Sequence, residues 1–222
     1  MPQFKVPDVA IQRLSIYLRA LRKLEENRIL SSLELAKLIG TSDGQVRKDL
    51  AYFGGFGIPG QGYQVKKLRR EITRILGLDR TWKVALVGVG KLGSALLAYP
   101  GLRQSGFLII AVFDNDPAKI GKVRERLGIQ SPETIPQVVS QEGIKIGIIT
   151  TPAETAQEVA NKLIQGGIKG ILNFAPVRIV HSPKVKLKNV DLSTNLETLS
   201  YFLKKREAKA SPTQQNKDFL HG

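Results

Sequence analysis

Val84 to Ala95, VALVGVGKLGSA, reads as a buried strand that runs straight into a glycine turn and then a helix. The apolar run from Lys83 to Val87 supplies the strand, and Leu92, Ala95, Leu96 and Leu97 supply the helix. Between them stands Gly88-x-Gly90-x-x-Gly93. In a dinucleotide-binding turn the first glycine permits the tight bend, the second lets the backbone approach a pyrophosphate, and the third lets helix and strand pack closely. The helix N-terminus then faces the anion. A second apolar run, Phe107 to Phe113, ends at Asp114, twenty-one positions after Gly93. A carboxylate at that strand end accepts the ribose 2′-hydroxyl and repels a 2′-phosphate, which favours NAD(H) over NADP(H). The competing reading makes Asp114 a structural residue of the turn Asn115-Asp116-Pro117.

Strand patterns continue at Lys145 to Ile149, Gly170 to Phe174 and Val185 to Val190, with a helix expected from about Ala153 to Gln165. The alternation predicts an α/β domain with a doubly wound parallel sheet. Cofactors of such sheets sit at the carboxyl ends of the strands. Thr150-Thr151-Pro152 and Asn173-Phe174-Ala175-Pro176 lie there, so they either contact the nicotinamide and its ribose or merely end their strands.

The eighty residues before this half differ in character. Ile11, Leu14, Leu18 and Leu21 recur at three and four, predicting one amphipathic helix over about 9–25. Ser31 and Glu34 match a capping box ahead of a short helix that Gly40 ends. Thr41 or Ser42 caps the next helix, with Val46, Leu50 and Phe53 inward and Gln45, Arg47 and Lys48 outward. Two short helices about a turn form a helix-turn-helix, whose second helix enters the major groove. Arg47 and Lys48 then read bases, unless they form an ordinary solvated face. Phe53 to Tyr63, FGGFGIPGQGY, has the glycine density of a tight hairpin or wing. Residues 65–76 predict a connecting helix whose basic face serves phosphate contact or solubility. The domain boundary is expected near Gly77 to Arg80.

Charge supports the division. The chain has 34 Lys and Arg against 19 Asp and Glu, net +15, which suits a polyanionic partner such as nucleic acid or an anionic membrane. Residues 1–80 hold 15 of the cations and 8 of the anions, so the basic excess is densest there. With no cysteine there is no thiol redox chemistry, cysteine zinc site or disulfide, and any redox sensing must work through a bound molecule. The absence of an apolar leader or a membrane-length apolar run predicts a cytoplasmic protein.

An oxidoreductase needs an acid or base beside the nicotinamide and a substrate pocket. The only histidines are His181, in a turn, and His221, next to last in the chain. No catalytic residue and no metal ligand set is assigned, and no stretch is left for a substrate domain. Three readings remain: a dinucleotide-responsive DNA-binding protein, a small NAD-dependent oxidoreductase with a helical appendage, and a nucleotide module similar to CoA-binding domains. Thr194 to Lys205 predicts a last helix with Leu196, Leu199, Phe202 and Leu203 on one face, packed in the core or exchanged with a second subunit, followed by a disordered polar tail.

QVRKDLAYFG, GYQVKKLRREITRILGL, VALVGVGKLGSALLAYPG, GIKGILNFAPV and NVDL, in this order, resemble the Rex family of bacterial redox-sensing repressors over nearly the whole chain. The resemblance implies a winged-helix DNA-binding domain over 1–79, a Rossmann NAD(H)-binding domain over 80–192, an exchanged C-terminal helix over 193–207 and a tail over 208–222. It implies a homodimer on double-stranded operator DNA, with an inverted repeat as the expected site, and release when NADH rises. Gln45, Arg47 and Lys48 would face the major groove, and Phe56, Gly57, Gly60 and Tyr63 would form the wing at the minor groove. Gly88, Val89, Gly90, Lys91, Leu92, Gly93 and Asp114 would hold NADH or NAD+, with Thr150, Thr151, Pro152, Asn173, Ala175 and Pro176 near the nicotinamide. Arg19, Tyr99 and Asp191 would form a switch, the carboxylate pairing with the arginine on DNA and with the tyrosine when NADH is bound. Family wings often carry a basic residue between the glycines, where this chain has Ile58-Pro59.

Overall fold

In a computed structural model of the chain, residues 6–58 and 60–210 are described, with side chains through 206. Pro59 of the expected wing and residues 211–222 of the expected tail lie outside them. The chain divides into two compact units, Met1–Thr81 and Trp82–Gly222.

The first unit opens with α1 (Asp8–Leu21), which buries Ala10, Leu14, Tyr17, Leu18 and Leu21. These positions step by i, i+4, i+7, i+8 and i+11, one face of a 3.6-residue helix. Ile11 lies on the flank of that stripe and is exposed, and the helix stops four residues before the expected end. After β1 (Ile29–Leu30) the predicted capping box starts α2 (Ser32–Ile39): the Ser31 hydroxyl accepts from the Glu34 amide at 3.1 Å, and the Glu34 carboxylate accepts from the Ser31 amide at 2.8 Å. Gly40 closes α2 in the left-handed region. Ser42, one of the two candidates, caps α3 (Asp43–Ala51) by accepting from the Gln45 amide. The glycine segment turns back through an Ile58 to Gly62 bridge into β2 (Tyr63–Gln64), which pairs antiparallel with β1. The Gly62 position is sterically closed to other residues, because a Cβ there would stand 2.4 Å from the Leu30 carbonyl oxygen. The amphipathic α4 (Val65–Ile75) then lays Val65, Leu68 and Ile72 into the same core. Its basic face is partly neutralised, with Lys66 and Arg69 on Glu26 and Arg74 on Glu71.

The second unit runs β3 (Trp82–Val87), α5 (Lys91–Ala98), α6 (Pro100–Gln104), β4 (Phe107–Phe113), β5 (Val123–Arg124), β6 (Leu127–Gln130), α7 (Ile135–Gln141), β7 (Ile146–Ile149), α8 (Ala153–Gln165), β8 (Gly170–Asn173), β9 (Lys186–Asn189) and α9 (Leu192–Ala210). The sheet order is β5-β6-β4-β3-β7-β8-β9, parallel except for the β5–β6 hairpin. Without β5 this is the order 3-2-1-4-5-6 of a doubly wound dinucleotide fold, whose switch point lies between β3 and β7. Side chains alternate across the sheet. Ala85, Val87, Ala111 and Phe113 pack under α7 and α8, while Val84, Leu86 and Ile148 face Leu96, Leu97 and Leu102 of α5 and α6.

The structure adds β6 and α7, settles one of two alternatives and corrects the bound of the tail. The third strand in the fold order, β6, and the helix α7 were not legible, because the β5–β6 turn puts Glu125 and Arg126 at positive φ without the usual glycine or asparagine. The last helix is not core: Leu192, Leu196, Leu199, Phe202 and Leu203 are each at least half exposed. It also continues to Ala210, so residues 208–210, expected in the tail, are helical. Among the described residues no helix is long and apolar enough to cross a membrane.

Candidate dinucleotide cleft and DNA-facing surface

The chain turns from β3 into α5 at Gly88, which takes a φ of 97°. At Gly93 a Cβ would stand 1.9 Å from the Gly88 carbonyl oxygen, so the helix can lie this close to the turn only with glycine there. At Gly90, by contrast, a Cβ would meet nothing within 4 Å. No side chain caps α5, so its first-turn N–H groups remain available to an anion above Gly90.

A cleft of about 780 Å³ opens at this strand edge. It brings together Gly88, Gly90, Asp114, Thr150, Thr151 and Pro152 of the expected site. Asp114 is buried, with Oδ2 accepting from the Val89 amide at 2.6 Å and from Lys119 Nζ at 3.1 Å, and Oδ1 accepting from the Asp116 amide at 2.9 Å. Burial works against its charge, but these donors outweigh burial and hold its pKa below the usual carboxylate value. Oδ1 keeps a lone pair for one more donor, which is what a ribose hydroxyl supplies. Thr151 Oγ1 is buried without a hydrogen-bond partner. An orphaned hydroxyl beside an open glycine backbone fits a polar ligand in this cleft.

The rest of the expected set behaves differently. Val89 enters through its amide and buries its side chain, and Gly93 acts by packing. Lys91, Leu92, Ala175 and Pro176 do not line the cleft, nor does Asn173. Asn173 is fully buried and spends its amide on Ala175, Val177 and Asn189, which makes it a brace for the β8 loop. Thr150 turns its hydroxyl onto the Gly88 carbonyl at 2.7 Å and holds the glycine turn. The opposite wall comes from residues that sequence reasoning missed: Lys119, Ile120, Ser131, Pro132, Glu133, Thr155, Glu158 and Lys162. Ser131, Pro132 and Glu133 follow β6 and would have been found by seeing that strand, whereas Thr155, Glu158 and Lys162 lie on the expected α8 and only the fold turns them to the cleft. Lys162 bridges Glu133 and Glu158 at 2.7 Å each, and these carboxylates raise its pKa.

In the first unit, Arg47, Phe56, Gly57, Gly60 and Tyr63 line one groove of about 450 Å³ beside the wing. Arg47 and Lys48 are exposed, as expected. Arg47 Nη1 donates to Asp43 at 2.6 Å and to Ser32 at 3.0 Å. These are surface contacts, which it can exchange for a stronger acceptor at little cost. Phe56 and Tyr63 are half-buried against the core and carry the wing, leaving Gly57, Ile58, Gly60 and Gln61 exposed. Gln45 is not a free outward group, because its amide donates to Asp49 at 2.7 Å.

Asp49 is the unforeseen centre of this unit. Completely buried, it accepts from Arg13 through Nε and through Nη2 at 2.6 Å, from the Tyr17 hydroxyl at 2.8 Å and from Gln45. It therefore bolts α3 to α1. Of the expected switch, Arg19 is exposed and donates to the Ser15 carbonyl, and the Tyr99 ring is exposed and covers Gly101. Asp191 caps α9 by accepting from the amides of Ser193 and Thr194, which lower its pKa.

A basic helix-turn-helix unit followed by a Rossmann-like cleft defines a ligand-binding regulator of transcription. Residues 5–51 match the family model described as "Putative DNA-binding protein N-terminus", and residues 79–177 match "CoA binding domain", a name that fixes no ligand for this chain. The chain is 47% identical over 95% of its length to the whole of the redox-sensing transcriptional repressor Rex of Pelotomaculum thermopropionicum, and 47% identical over 94% to that of Desulfitobacterium hafniense. It belongs to the Rex family of redox-sensing transcriptional repressors. The solved structure of RSP with β-NAD+ and operator DNA is 38% identical, with a TM-score of 0.87, covering 93% of this chain and 96% of that one. RSP with β-NADH gives 36% and 0.82, over 93% and 98%. Family membership sets aside the oxidoreductase reading.

Proposed function

We propose that this chain binds operator DNA through the groove beside its wing and is released when NADH occupies the cleft above Gly88 and Gly90. The observation that carries this reading is the pairing, in one chain, of that cleft with an exposed Arg47 on the second helix of a helix-turn-helix. A gel shift on a bacterial promoter pool tests it: a retained band with NAD+ or no ligand, lost on adding NADH, is expected. Equal retention with NAD+ and NADH would refute the sensor.

The working form is a homodimer. The exposed apolar face of α9 needs a cover, and a second copy of the same helix region, exchanged between subunits, is the occupant. A two-fold dimer with two reading helices calls for an inverted repeat. Because a repressor acts where the chromosome is, its compartment is the bacterial cytoplasm.

Arg47 is assigned to guanine. A bidentate arginine–guanine contact contributes about 1–3 kcal/mol of discrimination, so Arg47→Ala should lose preference at one symmetric operator position. Affinities measured across single-base operator variants check this. A uniform loss with a shallower salt slope would assign Arg47 to phosphate.

A ligand shifts DNA affinity only as far as it binds two arrangements differently, by about 1–3 kcal/mol in typical couplings. Asp191 caps α9 with Oδ1, leaving Oδ2 for a partner: Arg19 in the DNA-bound arrangement and Tyr99 in the NADH-bound one. Tyr99→Phe keeps the ring and removes the donor, so this variant should bind the operator normally and release it poorly across an NADH series. Arg19→Ala should weaken operator binding without NADH. Wild-type release by Tyr99→Phe would remove the tyrosine from the switch.

A further inference from the structure

The carboxylate expected to repel a 2′-phosphate is not alone. Lys119 Nζ lies 3.1 Å from Asp114 Oδ2 and 3.6 Å from Asp116 Oδ2, on the wall of the same cleft. Two carboxylates and one ammonium leave this edge with a single net negative charge. A lone-carboxylate account of cofactor choice therefore overstates the repulsion and omits a cation that a phosphate would seek.

The hydrogen bonds say which way the edge is set. Asp114 is pinned by the Val89 and Asp116 amides and cannot leave. Lys119, at the end of a flexible stem and with its side chain 37% exposed, can. With Asp114 charged, the ammonium is held on it, and Asp114 faces the ligand with one acceptor position that suits a hydroxyl. We propose that Lys119 is a specificity-determining residue of this cleft: a latent 2′-phosphate ligand that Asp114 and Asp116 keep occupied. The proposal rests on the reading of the cleft as an NAD(H) site.

Neutralising Asp114 should then do more than weaken NADH. Asp114→Asn keeps one acceptor oxygen, which can still serve the Val89 amide and Lys119 at the Oδ2 position, and gives up the acceptor of the Asp116 amide. With the charge gone, the only carboxylate left to pair with Lys119 here is Asp116 at 3.6 Å, and the ammonium becomes available. A charge-assisted hydrogen bond to phosphate corresponds to about 10–100-fold in affinity.

The test titrates full-length protein with NADH and with NADPH, for wild type, Asp114→Asn, Lys119→Met and the double variant, with circular dichroism confirming the fold. Asp114→Asn should lose about tenfold for NADH and gain about tenfold or more for NADPH, and the double variant should lose the NADPH gain. Lys119→Met alone should weaken NADPH by about fivefold more than it weakens NADH, and an unchanged ratio of the two affinities overturns the role of Lys119, which keeps the proposal testable if Asp114→Asn misfolds. An NADPH gain that survives in the double variant, or loss of NADH without that gain, overturns the role of Lys119. NADH affinity unchanged in Asp114→Asn overturns the cleft reading, and the Lys119 proposal with it.

Discussion

Asp49→Ala should lower the stability of the N-terminal unit by about 3–5 kcal/mol, the range for removing one partner of a buried ion pair. The substitution strands the fully buried Tyr17 hydroxyl, the Gln45 amide and the Arg13 guanidinium, whose side chain is only 27% exposed. The single tryptophan, Trp82, lies at the start of β3 in the other unit. The part of the helical circular dichroism that belongs to α1–α4 should therefore be lost at lower denaturant than tryptophan fluorescence, as an early partial step. The pH dependence has a definite sign. Burial opposes the Asp49 charge, but Arg13, Tyr17 and Gln45 outweigh it and lower the folded pKa. Its contribution is thus fully present above the unfolded value of about 3.9 and is lost as pH falls through the folded value. The difference between wild type and variant should be constant near neutrality and shrink in acid. A variant as stable as wild type at neutral pH would mean that α1 and α3 are held by apolar contacts alone.

Gly93→Ala should strongly weaken ligand binding at the cleft while adding only one methyl group. That methyl would stand 1.9 Å from the Gly88 carbonyl oxygen and 2.9 Å from Thr150 Oγ1. A backbone carbonyl cannot rotate away as a side chain can, so α5 must move off the turn. Overpacking by a single carbon costs about 1–3 kcal/mol and sometimes more, and a contact this short belongs at the upper end. NADH affinity should fall by about 100-fold or more, because in the proposed site the displaced α5 N-terminus and Gly90 amide approach the pyrophosphate. Operator binding without ligand should survive. The paired measurements are an NADH titration and a gel shift; unchanged NADH affinity would place the ligand away from this turn.

The two substitutions differ in how far the sequence announces them. Gly93 is legible because the strand, glycine spacing and helix of VALVGVGKLGSA are all local. Asp49 could have been suspected, as a carboxylate between Val46 and Leu50 on the inner face of α3. Its partner Arg13, however, lies 36 residues away. Helix phase sets Arg13 on the flank of the buried stripe and Arg19, the other arginine of α1, opposite it, but nothing local to α1 names Asp49 as the partner. The residues proposed to face DNA divide in the same way: helix phase places Arg47 and Lys48 outside, but Gln45 is tied to Asp49.

The cleft shows the same limit. Gly88, Gly90 and Asp114 follow from strand ends, whereas Lys119, Ser131 and Glu133 come from the stretch around β5 and β6. That hairpin carries no turn signal, and β6 is only four residues long with Gly128 in it. Hydrophobic periodicity, capping and glycine spacing are properties of neighbouring residues, so the sequence alone determined the two-unit division, the helix-turn-helix and the dinucleotide turn. Tertiary structure alone decided which cation sits on Asp114, which arginine meets Asp49, and that the apolar stripe of α9 is left uncovered. Each depends on groups made adjacent by chain reversal, and burial then selects one pairing among many that the composition allows.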